Sequence, residues 1–343
     1  MSSPDSGQLS KSPSADWTLA VSEGKVVLPD VDLLLGGSYS RVGPDLVIAG
    51  GGKKAVVADY FAQENPPWLF SDTGAHLDGA TVRSLAGEAG SWQVAQAGGG
   101  SGPDPIGSVT TLSGTVTVQR AGNVTELSVG DPVYQGDVVQ TGAGSSLGLT
   151  LADQTILSLS ASGRLVLNSL VYDPSQADNS IVMTLVQGAF AFMTGLVTQG
   201  SGTVAASDQS NGTITVNTPV ATMGIRGTYP WAVVDAVSGI FGTRIDPRTG
   251  KVETYDVFNL RNGSLLCRVE REDENCRITT EGGQVAVDVG RATPNEDTAE
   301  GLLAQLVQTL FRLKPLQFDS NQQDQNIREA NAGLGQPDLP QLD

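Results

Sequence analysis

Between Ile106 and Gly290 the chain alternates short apolar runs with Gly, Asp, Asn and Pro, a punctuation that suits strands joined by tight turns. In TVTVQ, Val116 and Val118 face one way while Thr115, Thr117 and Gln119 face the other, the period-two pattern of a half-buried strand. SLGLTLAD repeats it with Leu147, Leu149 and Leu151. LVLNSLVYDP and SIVMTLVQGAFAFMTG read as two long strands joined by SQADN, and residues 202–218 read as a polar excursion. After Thr228 a meander continues through YPWAVVDAV, IFGTRID, VETYDVFNL, LLCRVE, CRITTE and QVAVDVG, with turn residues in every gap. The expected fold class is all-β.

Several of these phrases also carry a resemblance. GSVTTLSGTVTVQRAG (107–122), GDPVYQGDVVQTG with its Gly130-Asp131 and Gly136-Asp137 pairs, LVQGAFAFMTG (185–195) and NTPVATMGIRGT (217–228) follow one another as in a FecR-like domain. The chain resembles the version found near the N-terminus of large bacterial secreted or surface proteins, adhesin-like and calcium-binding ones included. That resemblance implies a β scaffold and a protein or glycan partner at the cell envelope. It also implies an alternative, a regulatory sensor of the FecR type, although such regulators carry one membrane span.

The expected organisation is a disordered tail over 1–16, a small β-rich module over 17–93, and a Gly/Pro linker over 94–105. A FecR-like β domain then occupies 106–228, with a β-meander extension over 229–291. An amphipathic helix over 296–314 follows, with Leu302, Leu303, Leu306, Leu310 and Leu313 on one stripe, and a disordered tail fills 319–343. Within the first module DVDLLLGGSYS reads as strand and turn, LVIA and AVVADYF flank a Gly-rich turn, and His76 reads as a loop residue.

Charge narrows the function classes. With 37 acidic against 20 basic residues the net charge is −17, and no Lys/Arg cluster offers nucleic acid or an anionic membrane a footing. No apolar run reaches the ~18 residues of a spanning helix, and MSSPDSGQLSKSPSADW lacks the apolar core of a signal peptide. The expected destination is extracellular or cell surface by a signal-peptide-independent route, with the cytoplasm as the alternative.

Few residues offer themselves as a site. Cys267 and Cys276 flank REDEN in an expected hairpin, where a cross-strand disulfide is geometrically possible; two unpaired thiols are the alternative. A C-x8-C spacing with one histidine in the chain makes no zinc site. GSSLG puts Ser146 at the nucleophile's place of G-x-S-x-G, but inside an alternating run, and its base would be His76 in another module. AGGGKKA lacks the phosphate-loop pattern, so Lys53 and Lys54 read as solvated. Calcium is the metal whose chemistry suits Asp30 and Asp32, or Glu270, Glu272, Asp273 and Glu274, although neither stretch has the spacing of a known calcium loop. No other cofactor is implied. Arg226, between Gly224 and Gly227 and after Pro219, reads as a structural cation for Asp131 or Asp137. The residues suggest a non-catalytic protein, with a Ser146 hydrolase as an alternative.

Overall fold

The computed structural model describes residues 16–22, 24–87, 104–173, 179–198, 213–225, 229–245, 250–252, 254–272 and 274–291. Residues 1–15 of the expected N-terminal tail, the expected C-terminal tail, most of the expected linker and the expected helix over 296–314 lie outside these residues, while Asp16, expected in the tail, opens a strand.

The N-terminal unit contains β1 (Asp16–Leu19), β2 (Lys25–Leu28), helix α1 (Val31–Gly36), β3 (Ser38–Val42), β4 (Asp45–Gly50) and β5 (Lys53–Val57). A 3-10 turn (Tyr60–Ala62), β6 (Trp68–Ser71), β7 (His76–Leu77) and helix α2 (Gly79–Leu85) complete it. Its strands form two small sheets, β1-β5-β4-β3 and β2-β6-β7. The helix α1 corrects the strand reading of DVDLLLGG. Leu33, Leu34 and Leu35 are all buried, and the Asp30 carboxylate accepts the Asp32 N–H at 2.8 Å as an N-cap. In α2 the Asp78 cap accepts the Thr81 N–H at 2.9 Å and its hydroxyl at 2.8 Å.

The larger body runs from β8 (Gly107–Ser113), β9 (Val116–Arg120), β10 (Asn123–Glu126), β11 (Pro132–Val133), β12 (Val138–Thr141) and β13 (Ser146–Leu151) to β14 (Ile156–Leu159), β15 (Arg164–Val171) and β16 (Ser180–Met193). It continues through β17 (Thr213–Asn217), β18 (Thr222–Ile225), β19 (Tyr229–Val234), β20 (Ser238–Arg244), β21 (Tyr255–Phe258), β22 (Leu265–Val269), β23 (Glu274–Glu281) and β24 (Gln284–Arg291). The fold is all-β, as the alternation implies.

Two sheets share one strand. The first runs β10-β9-β12-β15-β16-β17-β18-β21-β22. The second runs β11-β8-β13-β14-β16-β19-β20-β23-β24. β16 pairs in the first sheet through Gln187 and in the second from Gly188 onward. Gly188 makes the switch possible: its φ is 98°, and a Cβ there would sit 2.6 Å from Gly163 Cα. Leu147, Leu149, Leu157, Phe190, Phe192 and Phe241 fill the core between the layers.

β17 pairs parallel with β16, so Thr213–Asn217 is a strand and not part of a polar excursion. Parallel neighbours need a crossover of a dozen or more residues, which the long 194–212 connection supplies. The meander over 229–291 continues both sheets, the second from β19 beside β16 and the first from β21 beside β18.

The N-terminal unit is likewise joined to the body. Its core cluster takes in Val138, Val166 and Val186 from β12, β15 and β16. Gln119 Nε2 donates to Leu85 O at 3.0 Å, and the Thr81 and Thr184 hydroxyls meet at 3.0 Å. The buried Arg164 reaches from β15 to the end of α1, donating to Leu35 O at 3.1 Å and Gly37 O at 2.9 Å.

Cys267 and Cys276 are disulfide-bonded with Cα atoms 6.5 Å apart. They do not face one another across a hairpin: β22 pairs with β21 in the first sheet, while β23 lies between β20 and β24 in the second. The bond therefore staples the end strand of the first layer to the penultimate strand of the second. Closing so short a loop removes denatured-state entropy worth about 2–3 kcal/mol. Reduction with a thiol is expected to lower unfolding free energy by that amount in urea titrations, and an unchanged midpoint would contradict it.

Candidate functional site

The outward face of β2-β6-β7 gathers the residues best suited to hold a ligand. β2 and β6 run parallel, with Lys25 beside Trp68 and Val27 beside Phe70, and β7 places His76 beside Phe70. Alternation turns Val26, Leu28, Leu69 and Leu77 into the unit's core. Val27 therefore stands 51% exposed, with Trp68 and Phe70 half-buried.

The rings form one stack. Phe70 and His76 have centroids 5.1 Å apart, Trp68 and His76 5.6 Å, and Trp68 and Phe70 6.3 Å. Arg261, from the loop after β21, places its guanidinium 4.9 Å from the Phe70 ring centre. A cleft of about 400 Å³ opens here, lined by Lys25, Val27, Phe70, Asp72 and Arg261 and floored by Gly74, Gly282 and Gly283. The floor is a close meeting of two turns: a Cβ on Gly74, whose φ is 99°, would lie 3.1 Å from Gly283 Cα. One wall thus belongs to the N-terminal unit and the other to the C-terminal strands.

His76 corrects the loop reading. It lies in β7, is 4% exposed, and its backbone N–H donates to Pro219 O at 3.0 Å. Nδ1 lies 3.0 Å from Gly74 O and so carries the proton, leaving Nε2 buried without a partner among the described residues. Burial lowers its pKa below 6.5, and the Arg261 charge lowers it further against the opposing bond to Gly74. A depressed histidine pKa gives stability that is complete above pH 6.5 and is lost as pH falls through 6.5 toward the folded value. Because the chain has one histidine, the melting temperature should fall from pH 7 to pH 5 in the native protein, and the slope should flatten in His76→Phe. An equal slope in both would place the titration elsewhere.

Among the other candidates, Ser146 opens β13 opposite Ser113 and is not followed by a helix, whereas G-x-S-x-G chemistry needs a strand–elbow–helix turn. Asp30 caps α1 and forms an ion pair with Lys53, which corrects the reading of Lys53 as solvated; that neighbour holds the Asp30 carboxyl below its ordinary range. Asp32 is exposed, Glu272 lies 3.7 Å from Arg244, Glu274 opens β23, and Asp273 is outside the described residues. Among the described residues no three His, Cys, Asp or Glu side chains converge as a cation cluster. No described helix is long and apolar enough to cross a membrane.

Arg226 and Gly227 lie outside the described residues, while Gly224 sits in β18 opposite Asp256. Among the described residues the cation beside Asp137 is Arg120. Asp137 is fully buried and accepts from Arg120 Nε and Nη2, each at 2.7 Å, and from the Tyr134 N–H at 2.8 Å. The reason is register: β9 and β12 pair Gln119 with Val138, so Arg120 lies beside Asp137. Arg120 also lies 4.2 Å over the Tyr134 ring. Asp131 instead accepts the Ser128 N–H at 2.7 Å within its own turn.

Trp68, Phe70 and Arg261 are not among the residues the sequence singles out. The W-x-F spacing in WLFS, which places both rings on one face of a strand, is the available signal; Arg261 gives none, since it arrives from a distant loop.

No family model matches the chain, and no curated protein sequence matches it. Among solved structures, a candidate anti-sigma factor from Parabacteroides distasonis, determined in two crystals, is 13% identical over 45% of this chain, with a TM-score of 0.32. The chain covers 60% of that protein's length. A cell surface anchoring domain is 34% identical over 18% of this chain and 82% of its own, with a TM-score of 0.18. Likeness at these TM-scores fixes neither fold nor activity.

Proposed function

We propose that this chain is a FecR-like, non-catalytic interaction module of a bacterial envelope or secreted protein, holding a protein or glycan partner on the outward face of β2-β6-β7. The observation that carries the reading is the ring stack. Trp68 and Phe70 stand on a strand face beside exposed Val27, with Lys25 and Arg261 at the rim of the cleft. Flat apolar rings edged by cations suit the stacking face of a sugar or an aromatic or acidic side chain of a partner. The Cys267–Cys276 bond supports an oxidising destination.

The test is a glycan and peptide array probed with the native protein and with Trp68→Ala and Arg261→Ala. Selective retention that both variants lose at unchanged melting temperature is the expected result. No selective retention, or retention indifferent to both substitutions, would sink the proposal.

A second reading, a contact-driven sensor, is favoured by the core shared between the N-terminal unit and β12, β15 and β16. In that case an array ligand would also change amide exchange in β15 and β16, while a plain anchor would alter exchange at the cleft alone.

A further inference from the structure

β24 is the last described strand and, among the described residues, pairs with β23 alone. Its register sets Val285 opposite Thr280, Val287 opposite Ile278 and Val289 opposite Cys276. Directly opposed residues of an antiparallel ladder share a face. On β23 that face is the core, since Cys276 and Ile278 are fully buried and Thr280 is 5% exposed. The valines continue the core side of the sheet into open space, with 37%, 39% and 49% of their surface exposed. The opposite layer ends at β22, a strand paired on one side, where Leu265 is 53% exposed. Such a row of apolar side chains on an edge strand invites a cover.

We propose that this cover is the chain's own segment 298–313, seated across Val285, Val287 and Val289. The sequence of that segment supplies the complementary face: Leu302, Leu303, Leu306, Leu310 and Leu313 recur at helical spacing and require an apolar surface. Asp297 followed by Glu300 has the spacing of a capping box. Dimensions agree. A helix over 298–313 is about 24 Å long, and β24 spans about 27 Å. Residues 292–297 reach at most about 20 Å, and Pro294 prevents them from extending the ladder. The connection is long enough to turn the helix back along the strand it leaves. A second copy of the chain docking on β24 is the rival occupant.

The full chain carrying Val287→Cys and Leu306→Cys, treated at low concentration with a short bismaleimide, decides between them. The native disulfide keeps Cys267 and Cys276 out of the reaction. A crosslinked, faster-migrating monomer is the expected product. A covalent dimer would assign the face to a second copy, and no crosslink would leave the helix off it; either overturns the proposal. As an independent measurement, Leu306→Asp with Leu310→Asp in the full chain should strip β24 amides of exchange protection while β16 amides keep theirs. Unchanged protection of β24 would also overturn it.

Discussion

Gly188→Ala is expected to lower unfolding free energy by about 3 kcal/mol or more, the largest loss from removing no interaction at all. Two costs combine. An alanine at the native φ of 98° is strained by about 1–3 kcal/mol. Its Cβ would also sit 2.6 Å from Gly163 Cα, a backbone atom that cannot swing aside, and overpacking of this kind costs about 1–3 kcal/mol. Gly136→Ala separates the two, because Gly136 has a φ of 85° and an added Cβ there would meet nothing within 4 Å. Denaturant unfolding of both variants should show a clearly larger loss at Gly188. Equal losses would mean that β16 can change sheets without the close approach.

Arg120→Leu should be nearly as damaging. It leaves the fully buried Asp137 carboxylate with the Tyr134 N–H and without its bidentate cation. Stranding a buried charge costs about 3–5 kcal/mol. The lower end applies, since the Arg120 side chain is 43% exposed and water shares its charge. Adding Asp137→Leu should restore part of the loss, because the carboxylate is then no longer buried without a partner. A double variant less stable than Arg120→Leu would show that Asp137 acts mainly through the Tyr134 turn.

Strand alternation is legible wherever one face is wet: Val116/Val118 and the Leu147–Leu151 series fall on their expected faces because period two follows from the pleat. Short apolar runs are ambiguous. VDLLLG reads as strand and turn by its apolar run, yet the Asp30 cap opens a helix there. Long-range partners are the least legible. Asp137 stands out as a carboxylate in need of a cation, yet local text cannot reveal that β9 lies beside β12 and brings Arg120. The disulfide pair is legible for an incomplete reason. Equal offsets about REDEN suggest a ladder, whereas the two cysteines reach across the core from opposite layers. The ring stack is hidden for a similar reason, since its rim is assembled from β2, β6, β7 and the loop after β21.

The shared strand β16 has a consequence for synthesis. Its neighbours β14 and β15 precede it, whereas β17 and β19 follow it by way of the long 194–212 connection. While the ribosome adds those residues, the nascent chain presents one flank of Ser180–Met193, including Phe190 and Phe192, without its final neighbour. The first sheet therefore waits on Thr213–Asn217, and the second waits longer, for Tyr229–Val234. Until then this strand is the natural target for a chaperone, and for aggregation where none is at hand.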